Sequence, residues 1–457
     1  MTAVAPGRTA SRLGPERDRF RLTKLPTMAV IGAGGVATIV LWVRDTIYVT
    51  GLGGWLTNAG RITGLLAGYL IVVLLALMAR VPALERGVGT DQLARWHSSL
   101  GRYVVSLSVA HTLLIIWGYA VTARAGLWPQ TWTLLTSYTD VLMATVSLGL
   151  LVLIGIVSAR AARRRLRYET WHLLHFYTYL AIALAFSHQF ATGADFVTNK
   201  PARYWWSAMY VLVGALLLWF RLIQPLINAA RLQLRVVAVQ PESADAVSIW
   251  ISGHNLDRLA AEPGQFFRWR FLTRQLWWAA NPYSLSAPPR DDLLRITVKG
   301  LGEHSRSLRE LAPGTRVIAE GPYGAFTAAS RRLHKVLLIA GGVGITPIRA
   351  LYESIPAYPG ELTLLYRTGK ASDVLFAQEL QDIATQRRSR LEFVTGPRGG
   401  RRRSDPMEAR RLKRMVPDLA SHDVYLCGPP GLTEYLRGQL RAAGVPARQI
   451  HFESFAF

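Results

Sequence analysis

Six apolar runs occupy the first half of this 457-residue sequence. Each is about as long as the 17 to 25 residues with which an α-helix crosses roughly 30 Å of hydrocarbon. Half of all residues are hydrophobic, which is more than a soluble enzyme needs. The sequence therefore predicts a six-helix transmembrane bundle. The runs lie near 27–43, 62–79, 100–121, 141–159, 172–191 and 205–223.

Lysine and arginine residues predict the orientation of the bundle. Six precede residue 27, three lie in 80–98 and five in 160–171. The intervening loops, 44–61, 122–140 and 192–204, contain only one or two basic residues each. Because basic loops stay on the cytoplasmic side, both termini are expected in the cytoplasm and the protein in the plasma membrane. The polar segment 1–26 is expected to be a disordered tail. The net charge of +24 is attributed to this topology and not to nucleic-acid binding, because the arginines crowd the ends of apolar runs.

Five of the ten histidines lie in or beside the third and fifth runs, where a polar side chain needs a partner or a function. His97 and His111 are 14 residues apart and His175 and His188 are 13 apart, which is about 21 Å and 20 Å along a helix. His97 should therefore lie level with His175, and His111 level with His188. The fifth histidine, His172, is the alternative inner partner of His97.

Two facing imidazoles can supply both axial ligands of a haem iron, and two such pairs at two depths would carry electrons across a bilayer. A spacing of 13 residues places His188 about 140° around the helix from His175. The fifth helix therefore needs a kink, or its histidine side chains must extend towards their partners on the third helix. The single cysteine, Cys427, and the lack of a C-x-x-C-H motif exclude covalent haem attachment, so the predicted haems are of the b type.

Short alternating strands after residue 228 predict an antiparallel β-barrel over 229–330. It contains NPYSLSAPP, residues 281–289, in which Tyr283 can pack on a flavin ring and the hydroxyl of Ser284 can reach the polar edge of that ring. Downstream, Gly302 and Ser305 lie at a predicted helix start, where free backbone N–H groups can hold a pyrophosphate. Positive charge for this pyrophosphate can come from Lys299 and Arg306.

Residues 331–457 alternate strands, loops and helices, which predicts an α/β domain with a parallel sheet. The loop GGVGITP departs from the G-x-G-x-x-G pattern, yet its glycines permit close approach of a phosphate and Thr346 can cap the following helix. Arg367 stands at the end of the next strand, where an acidic residue would bind a ribose diol. This favours the 2'-phosphate of NADPH, with NADH as the alternative.

Together these motifs resemble the superfamily of ferric reductases and NADPH oxidases, over residues 60–457. The resemblance implies a haem domain at 27–228, an FAD domain at 229–330 and a nicotinamide domain at 331–457. It implies that His97, His111, His175 and His188 bind two haems and that Tyr283 and Ser284 lie beside the isoalloxazine. It also implies nicotinamide-binding roles for Gly341, Gly342, Gly344, Thr346, Cys427, Gly428 and Pro429, and a terminal aromatic, Phe457, that covers the flavin.

One position departs from the family pattern. Asn281 stands where relatives place arginine or histidine before the flavin motif, and asparagine can donate hydrogen bonds but carries no charge. Neutralisation of the pyrophosphate then falls on Lys299 or Arg306.

The resemblance implies that NADPH reduces FAD and that electrons then cross the bilayer through both haems; no catalytic nucleophile is expected. The acceptor on the outer side is open between oxygen, a ferric chelate, a quinone and a protein partner, and the breadth of the family favours a ferric reductase. A different class of function, a proton channel or transporter with a histidine relay and a nucleotide-sensing cytoplasmic half, would need no haem.

Overall fold

The computed structural model describes residues 17–46, 48–159, 166, 168–197, 199–290, 292–396 and 405–454. They fall into two compact units. The helical unit comprises Leu22–Leu84 and Asp91–Leu222, and the sheet unit is built chiefly from Ile223–Phe457.

The described helices up to Leu218 include six long helices, of 18 to 34 residues, and three short ones. Five helices are long and apolar enough to cross a membrane by length and composition, namely Lys24–Arg44, Gly51–Leu77, Gln92–Ala123, Val141–Ser158 and Lys200–Leu232. The helix Tyr168–Ala191, which carries three histidines, is not among them. The elements are α1 Arg17–Thr46, α2 Gly51–Leu77, α3 Pro82–Val88, α4 Thr90–Ala123, α5 Leu127–Ser137, α6 Val141–Ser158, α7 Tyr168–Ala191, α8 Ala194–Val197 and α9 Lys200–Leu218.

Several helices begin earlier than the apolar runs predicted. The helix α2 begins at Gly51 instead of residue 62, because polar residues in its first turns find partners: Asn58 donates to Thr46 Oγ1 at 3.1 Å and Arg61 pairs with Asp195 at 2.5 Å. The helix α1 begins at Arg17, so part of the predicted tail is helical, while residues 1–16 lie outside the described residues.

Glycines let α2 and α4 approach closely. A Cβ added to Gly118 would lie 2.6 Å from the backbone nitrogen of Thr57 and 2.9 Å from the carbonyl oxygen of Gly53. A Cβ added to Gly53 would in turn lie 3.0 Å from the carbonyl oxygen of Gly118. Small residues at such crossings are typical of helices that pack within a membrane.

The sheet unit begins with α10, Gln224–Leu232, and a two-sheet region that contains strands β1 to β6. Both sheets are antiparallel, with orders β1-β2-β5 and β4-β3-β6, and single bridges at Arg235–Arg316 and Leu285–Ile296 connect them. Three aromatic side chains of β3, those of Phe267, Trp269 and Phe271, are fully buried in the core of this region. The strands are β1 Arg235–Pro241, β2 Ala246–Ser252, β3 Phe266–Phe271, β4 Asn281–Ser284, β5 Leu293–Lys299 and β6 Val317–Tyr323; the helix α11, Glu303–Ser307, follows β5.

The parallel-sheet region follows with five parallel strands in the order β11-β10-β7-β8-β9. The strands β7, β8 and β10 are buried along nearly their whole length, as expected for a sheet covered on both faces. The predicted α/β region with a parallel sheet is therefore present. Its elements are β7 Lys335–Gly341, α12 Ile345–Ser354, β8 Leu362–Thr368, α13 Ala377–Arg387, β9 Arg390–Thr395, α14 Ala409–Met415, β10 His422–Gly428, α15 Pro430–Ala442 and β11 Ile450–Ser454.

We expect Gly118→Val to destabilise the helical unit by about 1 to 3 kcal/mol, because the added methyl groups would separate α2 from α4. Thermal unfolding of the detergent-solubilised protein measures the effect. Gly149→Val in α6 is the matched control, since a Cβ there meets no atom within 4 Å. Equal melting temperatures for the two variants would contradict the close helix contact.

Candidate functional site

Two histidine pairs lie between α4 and α7. The ring centroids of His97 and His175 are 6.1 Å apart at an interplanar angle of 67°, and those of His111 and His188 are 6.4 Å apart at 64°. With metal–imidazole bonds of about 2 Å, a metal between two rings would put the ring centres about 6 Å apart. Both pairs therefore have a separation that suits an iron with two axial imidazoles.

Hydrogen bonds to the second ring nitrogen orient three of these histidines. Nδ1 of His97 donates to the Leu74 carbonyl at 3.2 Å, and Nδ1 of His111 donates to the Gly60 carbonyl at 2.8 Å. Because a carbonyl only accepts, these imidazoles keep the lone pair on Nε2, which is the tautomer of a metal ligand. Nδ1 of His188 lies 3.0 Å from the Thr192 hydroxyl, which itself donates to the His188 carbonyl at 3.1 Å.

The fourth histidine, His175, is held differently. Its Nδ1 is buried and has no hydrogen-bond partner within the described part of the chain. Instead, the ring stacks on Trp171 one turn earlier, with centroids 5.1 Å apart and planes 24° apart. Trp171 in turn donates from Nε1 to the hydroxyl of Ser158 at 3.3 Å. His172 contacts the rings of Trp171 and Phe176. The 6.1 Å separation between the His97 and His175 rings supports His175 as the partner of His97.

The helix α2 provides space for His111. A Cβ added to Gly64 would lie 2.6 Å from Nδ1 of His111 and 2.8 Å from its Cε1. Gly60, one turn earlier on the same helix, supplies the carbonyl that accepts from this imidazole. Glycine at position 64 lets the ring lie against the backbone of α2, whereas a Cβ on Gly60 would lie 2.9 Å from the side chain of Ile115 on α4. The sequence reasoning missed both requirements although the G-x-x-x-G spacing was visible.

Clusters of three or more potential metal ligands are absent from the described residues. Two protein ligands per site fit a haem, whose macrocycle supplies the other ligands, and do not fit a metal ion held by the protein alone.

In the sheet unit, a cavity of about 290 Å³ opens at the carboxyl ends of β7, β8 and β10. Its lining includes Gly341, Gly342, Arg367 and Pro429, all of which the sequence analysis selected. The neighbouring strands β7 and β10 lie where the strand order reverses, which is the usual ligand position in open α/β sheets. Lys299 from β5 also lines this cavity.

Glycine is required where the two loops meet. A Cβ on Gly344 would lie 2.6 Å from the carbonyl carbon of Cys427, and one on Gly428 would lie 3.3 Å from the Cα of Gly341. Gly342 has φ +55°, in the left-handed region. The predicted cap by Thr346 is wrong: Gly344 is the N-cap of α12, because a short 3₁₀ turn starts the helix earlier, and Thr346 donates to the Val343 carbonyl at 3.1 Å.

Arg367 lies at the edge of the cavity but is largely buried. Its Nη1 donates to two backbone carbonyls, those of Thr368 and, at 3.2 Å, Val394. These bonds hold the guanidinium against the ends of β8 and β9. The cavity is also lined by three carboxylates, those of Asp245, Asp373 and Asp405.

The predicted flavin segment forms β4 and the turn after it. Tyr283 pairs with Phe267, and its carbonyl accepts from Trp269 Nε1 at 2.9 Å. Burial raises the pKa of the Tyr283 phenol, which therefore stays neutral. The hydroxyl of Ser284 is buried and lacks a hydrogen-bond partner among the described residues, which fits a ligand acceptor there. Asn281 begins β4 and pairs with Trp269.

The predicted pyrophosphate residues lie around α11. Gly302 is its N-cap, and its N–H donates to the hydroxyl of Ser305 at 2.9 Å. Arg306 is exposed on the same helix. Lys299 pairs with Asp245 at 3.0 Å, and the hydrogen bond from this ammonium lowers the pKa of the Asp245 carboxyl.

At the carboxyl end of the sheet, Cys427 lies beside Glu453, a residue that the sequence reasoning missed. Cys427 is fully buried, and its register partner on β11 is Glu453. A carboxyl oxygen of Glu453 lies 3.6 Å from the position of a Cβ on Gly324, in the turn after β6. Phe457 lies outside the described residues.

A buried arginine connects the two-sheet region to the parallel-sheet region. Arg295 on β5 is 2% exposed, and its Nη1 and Nη2 donate to both carboxyl oxygens of Glu379 on α13, at 2.7 and 3.0 Å. Its guanidinium lies over the rings of Trp250 and Phe376. Nη2 also donates to the Ser286 carbonyl in the flavin segment at 2.8 Å.

Glu379 also accepts from Nε of Arg349 on α12 at 2.8 Å. Desolvation acts to raise the pKa of Glu379, but the hydrogen bond from Arg295 and the two positive charges outweigh it and lower that pKa. The ion network therefore joins the flavin segment to the helix that follows the glycine loop.

Family models match a part of the helical unit and a part of the parallel-sheet region. The family described as ferric reductase like transmembrane component matches residues 63–186, and the oxidoreductase NAD-binding domain matches residues 338–438.

Three relatives are reductases. The ferredoxin reductase component of 3-ketosteroid-9-alpha-monooxygenase from Mycolicibacterium smegmatis is 32% identical over 49% of this chain and 65% of its own. A flavohemoprotein from Xylella fastidiosa is 31% identical over 42% and 51%, and an NADPH oxidoreductase from Mycobacterium tuberculosis is 27% identical over 52% and 63%. The chain thus spans between half and two thirds of the length of these relatives.

The chain therefore combines a multi-pass transmembrane component of the ferric reductase type with an NAD-binding domain of the oxidoreductase type. This combination matches the fusion of the ferric reductase and NADPH oxidase superfamily, which the sequence motifs had indicated.

Removing Glu379 should destabilise the sheet unit more than removing Arg295. Glu379→Leu leaves the buried Arg295 without its carboxylate, at a cost on the order of 2 to 4 kcal/mol, whereas Arg295→Met leaves a half-exposed carboxylate that still pairs with Arg349. Chemical unfolding of the two variants measures the difference. A larger loss for Arg295→Met would show that ring contacts, and not the ion pair, dominate.

The same pair predicts a pH dependence. The pKa of Glu379 is lower in the folded protein than its ordinary 4.5, so its contribution is present above that value and is lost as the pH falls through the folded pKa. The unfolding free energy of Glu379→Gln should fall less steeply below about pH 4.5 than that of the unchanged protein.

Proposed function

We propose that this protein oxidises NAD(P)H in its parallel-sheet region and transfers electrons through FAD and two bis-histidine b-type haems to an acceptor on the opposite side of the membrane. Bound flavin and haem would supply the change from hydride to single-electron chemistry. The observation that carries the proposal is the occurrence of two histidine pairs with ring separations of 6.1 and 6.4 Å on one pair of helices.

We assign α7 as a sixth transmembrane helix. Its 24 residues extend over about 36 Å, enough to cross the hydrocarbon. Three histidines lower its hydropathy, which explains why it is not among the five strongly apolar helices. In this arrangement the haem domain is 27–228, and basic loops put both termini in the cytoplasm at the plasma membrane.

The histidines have distinct tasks in this proposal. His97 and His175 would hold the inner haem, and His111 and His188 would hold the outer one. The carbonyls of Leu74 and Gly60 fix the imidazole tautomers, and hydrogen bonding to Nδ1 raises the basicity of a metal-bound imidazole.

The two-sheet region is proposed as the FAD domain, 229–330, with its two sheets forming a barrel. Tyr283 and Ser284 would face the isoalloxazine, since the buried Ser284 hydroxyl lacks another partner in the described chain. Lys299, Arg306, Gly302 and Ser305 would hold the pyrophosphate.

The cavity at the carboxyl ends of the strands is the proposed nicotinamide site, in domain 331–457. Gly341, Gly342 and Gly344 would let the coenzyme approach the backbone, Thr346 would lie in the first turn of the helix behind them, and Cys427, Gly428 and Pro429 would lie on the adjacent loop. Phe457 is proposed to cover the flavin until nicotinamide displaces it.

The acceptor is proposed to be a small molecule, either oxygen or a ferric chelate, with a protein partner as the alternative. The names of the relatives support transfer from reduced nicotinamide through flavin, and the transmembrane match supports an acceptor beyond the bilayer.

An anaerobic visible spectrum of the purified protein with FAD, before and after NADPH, tests the function. We expect a six-coordinate b-type haem spectrum that becomes reduced. His111→Ala and His175→Ala should each lower the haem content by about half, because each removes one axial ligand of one haem.

His172→Ala is the matched control, since His172 lies one turn from His175 on α7, and it should keep both haems. Protein that takes up no haem when haem is supplied, while still conducting protons in vesicles, would instead support the proton relay.

Coenzyme choice provides a second test. If Arg367 binds the 2'-phosphate of NADPH, Arg367→Gln should lower kcat/KM for NADPH by about tenfold or more. The value of kcat/KM for NADH should stay unchanged, because NADH has no 2'-phosphate and loses no ionic contact. Steady-state reduction of a dye measures both constants. An equal decrease of kcat/KM with both coenzymes would show that Arg367 has a structural role, through its hydrogen bonds at the ends of β8 and β9.

A further inference from the structure

The loop between β3 and β4 exposes two adjacent tryptophans. Trp277 is 59% exposed and Trp278 is 52% exposed. The loop is nevertheless anchored: Leu276 is buried in the core, Trp278 Nε1 donates to the Gln275 carbonyl at 2.9 Å, and Arg270 donates to the Trp277 carbonyl at 3.0 Å. Paired indoles held outward by a fixed loop are characteristic of an interaction surface.

This loop leaves the two-sheet region at the edge where α10 enters it. Leu232, the last residue of α10, is buried in the core of the two sheets. Two residues later the carbonyl of Leu234 accepts from the N–H of Val317 at 2.9 Å, and Val317 pairs with Phe271, directly before the loop. The helix α10 is the end of Lys200–Leu232, a segment long enough to cross a membrane. Trp277 and Trp278 therefore follow the end of β3 that lies near α10, the helix that continues the candidate membrane span.

Four exposed arginines lie in the segments that meet at this edge, and no acidic residue occurs in 225–237, 270–280 or 312–318. None of the four forms an ion pair within the described chain. Two of them face each other across an isolated antiparallel bridge, an arrangement that is unfavourable without a counter-anion. The four are Arg231, Arg235, Arg274 and Arg316, and with Trp277 and Trp278 they form the arginine–tryptophan rim.

We propose that the arginine–tryptophan rim binds the anionic surface of the bilayer, on the leaflet that faces the sheet unit. Tryptophan prefers the boundary between headgroups and acyl chains, and arginines are attracted to anionic lipid headgroups. Leu272, 41% exposed at the start of the loop, adds apolar surface.

The rim would give the two-sheet region a second attachment to the membrane besides α10. Because β4 begins at Asn281, three residues after Trp278, the attachment would fix the orientation of the flavin segment relative to the bilayer. This inference needs the membrane helices but not the haems, so it stands apart from the proposed function.

A single cysteine label tests the rim in the full-length protein. Cys427 is fully buried, so Trp277→Cys provides the reactive thiol for a fluorophore. The protein is reconstituted in nanodiscs of phosphatidylcholine with or without phosphatidylglycerol. Brominated lipids quench a label in the bilayer, and iodide quenches a label in water. Tyr358→Cys is the control, because Tyr358 is a 64% exposed aromatic residue before β8.

We expect lipid quenching and several-fold protection from iodide at position 277 but not at position 358. Arg274→Gln with Arg316→Gln should reduce the ratio of lipid-quenched to iodide-accessible label by on the order of fivefold for each arginine, because each substitution removes one positive charge. Trp278→Cys replaces Trp277→Cys if that variant fails to fold.

Equal iodide access at positions 277 and 358 would overturn the proposal. Protection without lipid quenching would also overturn it, because a protein surface would then cover the rim. Identical lipid quenching in neutral and anionic discs would overturn the role of the arginines and with it the proposed anionic surface.

Discussion

Two facing imidazole pairs impose the main constraint on the helical unit. Each pair requires α4 and α7 to lie side by side at matched heights, and the hydrogen bonds of His97 and His111 to backbone carbonyls bring α2 against α4 as well. A polar group in the bilayer must be satisfied within the protein. The contacts of these imidazoles therefore constrain the relative positions of α2, α4 and α7.

Other buried polar contacts hold the same helices. Trp206 on α9 donates to Gln189 on α7 at 2.6 Å, and Tyr210 donates to the Gly68 carbonyl on α2 at 3.2 Å. Gln189 directly follows His188, so this network fixes the end of α7 that carries the His111–His188 pair. The hydroxyl of Ser147 donates to the Ala181 carbonyl at 2.7 Å and connects α6 to the middle of the same helix.

Regular geometry explains which features the sequence could predict. The rise per residue of a helix sufficed to match His97 with His175 and His111 with His188, and the strand–loop–helix alternation sufficed for the parallel sheet. The expected angular mismatch did not require a break in α7, which runs continuously from Tyr168 to Ala191. The rings of His175 and His188 nevertheless lie within 6.4 Å of those of their partners on α4, a result that the spacing alone did not give.

Features that depend on partners distant in sequence could not be predicted. Arg295 and Glu379 are 84 residues apart, and no local pattern indicates that they meet. The early start of α2 depends on Arg61 finding Asp195, 134 residues later. Thr346 followed a good local rule for helix caps, but the 3₁₀ turn over Gly342–Gly344 moved the helix start. Local chemistry thus identified the loops that line the cavity, whereas the ion network of Arg295, Glu379 and Arg349 depends on residues far apart in sequence.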